Sequence, residues 1–330
     1  MRFRLGAAAL LALAFAAGAA SAQEAQPAII FDMGGKFDKS FNEAAFNGAE
    51  RFKKETGTAY AEFEVTQEAQ REQAMQRMVR RGASIVVVVG FAHATPLEKI
   101  AKENPGTKFT IVDSVVDLAN VQSVVFKEHE GSFLVGMAAA LASKTGKVGF
   151  VGGMDIPLIR NFQVGYEQGV KHVNPGAQVL VNYTGTTPAA WNDPARGGEL
   201  AIGQFGQGAD VVYAAAGATG LGVLQAAADK RMLSIGVDSN QNHLHPGSVL
   251  TSMLKRVDVA VYTAFKTAKD GTWKAGTQNL GLKEDGVGYA VDENNRQLVT
   301  ADMEKKLEEA KAAIVAGSLP VKDYQATQKQ

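Results

Sequence analysis

Ile85-Val86-Val87-Val88-Val89 is apolar on both of the faces that a strand presents, so a sheet built on it must be covered on both sides. Short runs of this kind recur down the chain, separated by amphipathic stretches of helical length. Strands are predicted at 28–31, 59–64, 84–89, 108–112, 121–126, 147–151, 178–182, 211–214, 233–237 and 249–254. Helices are predicted between them at 41–55, 70–81, 97–103, 130–143, 157–173, 194–207, 219–229 and 258–269, with a last one at 300–316. Pro157 and Pro194 fit first helical turns, with Asp155 and Asp193 beside them as candidate caps. Strand and helix in alternation point to βαβ units and parallel sheets. At 330 residues the chain is long for one core and suits two lobes of roughly 150 residues each.

Lys plus Arg and Asp plus Glu each total 34, a formal net charge of zero. That balance argues against a nucleic-acid partner or adhesion to an anionic membrane. With no cysteine anywhere, disulfides, thiolate metal sites and cysteine nucleophiles are excluded together. Residues 1–22 have the form of a signal peptide: Arg2 and Arg4, an apolar stretch over 5–17, then Ala20-Ser21-Ala22 before Gln23. The apolar stretch is shorter than the ~20 residues that span a bilayer. A lipoprotein needs a cysteine at its new N-terminus. The mature chain is therefore expected to be soluble in the periplasm after cleavage near Ala22, and not a lipoprotein.

Ligands of open α/β folds bind beyond the carboxyl ends of the strands. Asp32 follows the first strand, Asp113 the fourth and Asp238 the ninth, and Gly217 lies just past the eighth. One aspartate in such a place is commonly a helix cap or turn former; three at equivalent ends converge on one crevice. Two aromatics add to them. Phe41 opens the helix behind the Gly34-Gly35 loop, and Trp191 stands in a polar loop of small residues. Each alone also fits a packing role, Phe41 on the sheet and Trp191 on its own loop. Together, on opposite lobes, they would sandwich a flat heterocycle, and stacking contributes ~1–3 kcal/mol per base.

Four segments carry a family resemblance. They are Asp32-Met33-Gly34-Gly35 with Asp38-Lys39-Ser40-Phe41-Asn42, Val148-Gly149-Phe150-Val151-Gly152-Gly153, Gly236-Val237-Asp238-Ser239, and Thr251-Ser252-Met253-Leu254-Lys255-Arg256-Val257-Asp258. Over nearly the whole mature chain the sequence resembles the basic membrane protein (BMP) family of transport-associated binding proteins. The resemblance implies an α/β fold of two doubly wound parallel-sheet lobes, the type I periplasmic binding protein architecture, with a ligand cleft between them. By that layout the N-terminal lobe takes 23–126 plus 238–278 and the C-terminal lobe 127–237 plus 279–330.

The resemblance also implies a purine nucleoside ligand (guanosine, inosine or adenosine), an ABC permease in the inner membrane as partner, a monomer, and no cofactor. By it, Phe41 and Trp191 stack on the base from opposite sides and Asp113 pairs with polar atoms of the base. Asp238 and Lys255, with the Gly217 backbone, hold the ribose hydroxyls, and Asp32 closes the site near the ligand. Ser40 and Asn42 join as lesser members. Relatives often carry Phe where this chain has Trp191, which enlarges one wall. Lys255, just before Arg256, also fits a solvated surface.

Gly217-Ala218-Thr219-Gly220-Leu221-Gly222 follows a strand and opens a helix, but its spacing is not the dinucleotide fingerprint. Tight turning accounts for it. His243 and His245 lack acidic or cysteine partners nearby in sequence, so no metal site is expected. No nucleophile elbow, Walker A loop or HExxH sequence is present, so an enzyme has little support. The leading expectation is thus a solute-binding protein for purine nucleosides. Behind it stand the same fold with a free nucleobase, a sugar or another small polar solute, and, third, a secreted nucleoside hydrolase or phosphorylase.

Overall fold

The computed structural model describes residues 26–327; the segment read as a signal peptide lies outside them. The chain opens with β1 (Ala28–Phe31), α1 (Phe41–Thr56), β2 (Ala61–Glu64), α2 (Gln70–Arg80), β3 (Val86–Val89), α3 (Ala94–Glu103), β4 (Phe109–Val112) and β5 (Val121–Phe126). Then come α4 (Glu128–Ala142), β6 (Lys147–Met154), α5 (Pro157–Val173), β7 (Gln178–Gly185), α6 (Pro194–Gly206), β8 (Val211–Ala215), α7 (Gly220–Lys230), β9 (Leu233–Asp238) and β10 (Val249–Lys255). It closes with α8 (Val257–Lys269), β11 (Gly276–Leu280), β12 (Val287–Tyr289), α9 (Ala301–Val315) and α10 (Tyr324–Thr327).

Two sheets result, in the orders β11-β5-β4-β3-β1-β2 and β12-β10-β9-β8-β6-β7. Among the described strands every pairing is parallel except that of β12 on β10. Side chains alternate across a strand, and both faces of the first sheet are covered accordingly. Ile29, Phe31, Val87 and Val89 pack with Ala45, Phe52 and Phe265 of α1 and α8. Ile30, Val86 and Val88 pack with Met75, Met78, Leu97 and Ile100 of α2 and α3 on the other face. Each such fully buried Val, Ile, Leu, Met or Phe side chain contributes ~1.5–3 kcal/mol.

Three crossings join the sheets, and one departs from the sequence reading. Residues 249–255 form β10 beside β9 in the second sheet, so the chain returns to the first lobe after Lys255, not at 237–239. The C-terminal lobe therefore keeps β10, and residues 238–255 do not belong to the N-terminal lobe. The physical reason is the β9–β10 connection. It holds only one short turn, Asn242–Leu244, so no helical periodicity marked it as a connection within one sheet. β11 and β12 were also not expected. At the caps, Asp193 accepts from the Arg196 N–H at 3.0 Å as anticipated, whereas Asp155 pairs with Arg160 at 2.6 Å instead.

Candidate functional site

The loop between β1 and α1 shapes the first lobe's side of the cleft. Gly34 and Gly35 take φ of 120° and 95°, turning the chain sharply behind Asp32. The Asn42 side chain then ties that turn together. Its Oδ1 accepts from the Asp32 N–H at 3.2 Å, and its Nδ2 donates to the Asp32 and Gly35 carbonyls at 3.1 and 3.2 Å. Asp38 caps α1, accepting from the N–H groups of Ser40 (2.8 Å), Asn42 (3.0 Å) and Glu43 (3.1 Å). Burial still pushes the Asp38 carboxyl up to about 7, with Asp238 adding to the rise against those three donors.

Asp32 lies behind this turn. Its Oδ1 takes the Arg71 guanidinium at 2.8 Å and the Met33 N–H at 2.9 Å. His93 is 3.8 Å away, but burial lowers it to about 4 despite Asp32, so Arg71 alone balances the carboxylate at neutral pH. Residue 90 must be glycine. Its φ is +112°, and a Cβ there would sit 2.5 Å from Asp32 Oδ2.

At the strand ends, Asp113 and Asp238 both adopt left-handed backbone, with φ of 71° and 64°. Aspartate tolerates that region better than most residues, and such positions gather at functional sites. Asp238 accepts from Ser40 Oγ at 2.6 Å across the cleft. Burial pushes Asp238 up to about 6, with Lys255 and Ser40 opposing and Asp113 adding.

Lys255, the last residue of β10, is not a surface charge: its side chain is 2% exposed. Its Nζ lies 2.7 Å from Asp113 and 3.1 Å from Glu128. The rings of Phe41, Phe126 and Phe162 stand 5.4, 5.1 and 5.3 Å from it. Burial alone would lower the ammonium, but Asp113, Glu128 and Asp238 together hold it above its ordinary value. Burial raises Asp113 and raises Glu128 to about 7, with Lys255 opposing in both.

Trp191 ends a short turn, Pro188–Trp191, in the second lobe. Thr184 and Thr219 hydroxyls both donate to the Ala190 carbonyl, at 3.0 and 2.8 Å, and fix that turn. The indole lies flat against the end of β6: a Cβ at Gly153 would fall 2.1 Å from Trp191 Cζ3.

Eight of the nine residues singled out in the sequence, Asp32, Phe41, Asn42, Asp113, Trp191, Gly217, Asp238 and Lys255, line one cavity. Ser40 is the exception and stands behind Asp238. Asn42, though on the wall, spends its amide on the loop. The sequence reading missed Asp38, Phe91, Leu158, Ile159 and Phe162, which complete the walls, and Glu128 behind Lys255. Asp38 was within reach as a helix-start signal before Phe41. Ile159 and Phe162 share the spacing of ordinary core residues on α5, and nothing near Glu128 in sequence marks its distant partner.

A family model described as ABC transporter substrate-binding protein PnrA-like matches residues 25–323. The ABC transporter nucleoside-binding protein BmpA of Lactococcus lactis is 33% identical over 89% of this chain and 88% of its own. An uncharacterized lipoprotein of Pyrococcus horikoshii is 37% identical over 79% of this chain and 68% of its own. Among solved structures, a solute-binding protein of an ABC transporter system from Aeropyrum pernix has a TM-score of 0.83 at 30% identity, covering 92% of this chain and 96% of that one.

The relatives correct one expectation. Those of Pyrococcus abyssi and Pyrococcus furiosus are, like that of P. horikoshii, named lipoproteins, which contradicts a chain soluble in the periplasm and not a lipoprotein. The expectation rested on residues outside the described structure. Two lobes that close on a solute work equally on a lipid tether, so the fold carries no preference for the free form. With a family model spanning nearly every described residue, this chain belongs to the Bmp family of ABC transporter substrate-binding proteins, which bind a small molecule for a permease and are not enzymes.

Proposed function

We propose that this protein captures a purine nucleoside between its lobes and presents it to its permease. The observation that carries the reading is one cavity with an aromatic side chain from each lobe, Phe41 and Trp191, and carboxylates from both. Asp32 and Asp113 come from the first lobe and Asp238 from the second. Flat walls suit a base, and ionised carboxylates, which only accept hydrogen bonds, suit ribose hydroxyls and N–H groups of a base edge. The nucleoside-binding name of the Lactococcus relative supports it. In this reading Asp113 meets the base, Asp238, Lys255 and the Gly217 amide meet the ribose, and Asp32 borders the ligand. Ser40 orients Asp238, and Asn42 holds the loop under Phe41.

Calorimetry on protein refolded from denaturant, to strip bound solute, tests this directly. Guanosine, inosine or adenosine is expected to bind more tightly than uridine, guanine or ribose. A free base or sugar that equals the best nucleoside would move the ligand to that class. In the same assay Trp191→Ala is expected to lose ~1–3 kcal/mol of nucleoside binding with unchanged thermal unfolding. Unaltered affinity would remove Trp191 from the site.

The charge of the cleft adds a sharper expectation. Asp32, Asp38, Asp113 and Asp238 line it, while Lys255 and Arg71 are already paired with Asp113 and Asp32. A phosphate would meet like charge, with no free cation among the described residues that line the cavity. Nucleoside 5′-monophosphates are expected to bind at least ~100-fold more weakly than the parent nucleosides. Comparable affinity would show that the phosphate stays outside the acidic cleft.

A further inference from the structure

Lys255 has two carboxylate partners, and they belong to different lobes. Lys255 ends β10 of the second sheet, and Glu128 opens α4, which packs on α5, α9, β10 and β12 of the same lobe. Asp113 follows β4 of the first sheet. The 3.1 Å contact from Lys255 to Glu128 therefore stays within one lobe, while the 2.7 Å contact to Asp113 spans the cleft. Glu128 is itself anchored there. Asn161 Nδ2 of α5 donates to its Oε2 at 3.0 Å, leaving Oε1 for the lysine.

Other hydrogen bonds also cross the cleft: Ser40 Oγ to Asp238, Ser239 Oγ to the Ser40 carbonyl at 2.8 Å, and Gln241 Nε2 to the Lys39 carbonyl at 3.0 Å. None of these is a full ion pair. When the lobes part, water can replace each of them. The ammonium is different, because Phe162 of the same lobe remains beside it, and a buried charge without a counter-ion is costly.

We propose that Glu128 is a positioning residue for Lys255: it keeps the ammonium on the second lobe when the lobes part and competes with Asp113 for it when they close. Glu128 thereby lowers the cost of opening and keeps the unliganded cleft available to solute. Without it, Lys255 has Asp113 as its remaining ion-pair partner, and closure is the way to keep that pair. The two carboxylates touch the same nitrogen yet bias the lobes in opposite directions, a population shift with two handles. The inference rests on two lobes that open and close, not on the solute being a nucleoside.

Small-angle X-ray scattering of ligand-free protein, stripped by refolding, tests it without any ligand. Glu128→Gln is expected to raise the closed-to-open ratio about fivefold or more, lowering the radius of gyration. Asp113→Asn is expected to raise the radius of gyration instead. In a Lys255→Gln background the Glu128→Gln change should no longer move it. A merely structural role for Glu128 would lower thermal stability without this opposition of sign. An unchanged or enlarged radius for Glu128→Gln, or a shift that survives in the Lys255→Gln background, overturns the proposal. Should Glu128→Gln fail to fold, Glu128→Asp, which keeps the charge but withdraws it by one methylene, is expected to shift the lobes the same way by less. No shift in that variant overturns the proposal equally.

Discussion

Replacing Lys255 by methionine is expected to cost the folded protein about 3–5 kcal/mol at neutral pH, the usual effect of removing one partner from a buried ion pair. Methionine retains the length of the side chain and can pack against Phe126 and Phe162, so the loss isolates the ammonium. What remains are Asp113 and Glu128, 5% and 1% exposed, facing each other without a cation. The cost should depend on pH, and the sign follows from the burial of both acids. Burial raises both carboxyls, Glu128 from 4.5 to about 7. A raised acid contributes stability that is present below its unfolded value and lost as pH rises through its folded value. Removing Lys255 raises both acids further and extends that loss. The gap between wild type and variant should be smallest in acid, where Glu128 is neutral in both proteins, and widen as pH rises through about 7. Urea unfolding at a series of pH values checks it. A gap that does not change with pH would mean that the lysine acts by packing.

How far the fold was legible depended on burial. β1 was placed to the residue at 28–31, because a strand covered on both faces leaves an unbroken apolar run, and β5 was placed equally well at 121–126 although Gln122 and Ser123 interrupt it. β6 and β7 run three residues further than their apolar cores, to Met154 and Gly185. Their carboxyl ends, Gly152-Gly153-Met154 and Tyr183-Thr184-Gly185, carry glycines and polar residues, so hydropathy fades there while the ladder continues. β11 was invisible for the opposite reason. Gly276-Thr277-Gln278-Asn279-Leu280 is an exposed edge, held by its ladder on β5 and not by buried side chains. The same weakness of local signal at the β9–β10 connection put the second lobe boundary in the wrong place.

The site was legible wherever a residue advertised itself by position. Asp32, Asp113 and Asp238 could be found because carboxyl strand ends in parallel sheets converge. Their division of labour was not legible. The sequence shows that Ser40 and Asn42 lie near a helix start. It does not show that one hydroxyl reaches across 198 positions to Asp238 while the other side chain is consumed by its own loop. Lys255 fitted a solvated charge equally well until its depth was known. Glu128 had no local signal at all, since what distinguishes it is a contact with a residue more than a hundred positions away.

Replacing Asp238 by asparagine is expected to weaken ribonucleoside binding about 10- to 150-fold, the equivalent of ~1.5–3 kcal/mol for hydrogen bonds to a charged acceptor. Affinity for 2′-deoxynucleosides should fall much less. Asparagine is the informative change because residue 238 has a φ of 64°, which Asn adopts as readily as Asp. Alanine would add backbone strain to the loss of charge. Ser40, now a donor to Oδ2 at 2.6 Å, can rotate its hydroxyl to suit an amide, so the cleft should still close. Acid offers a second way to make the same change. Burial holds Asp238 up to about 6, and the ionised form is the one that accepts from both ribose hydroxyls. Wild-type affinity should therefore be full above that value and decline as pH falls through it, towards the affinity of the variant. The Asp38 carboxyl, raised to about 7 with Asp238 adding to the rise, titrates in both proteins, and the ratio of guanosine to 2′-deoxyguanosine affinity within each protein separates its effect from that of Asp238. Calorimetry with guanosine and 2′-deoxyguanosine from about pH 5 to 8 reads both effects. If the variant loses the two ligands equally, or if wild type and variant keep the same ratio at every pH, Asp238 does not hold the ribose, and its place at the cleft serves closure through Ser40 alone.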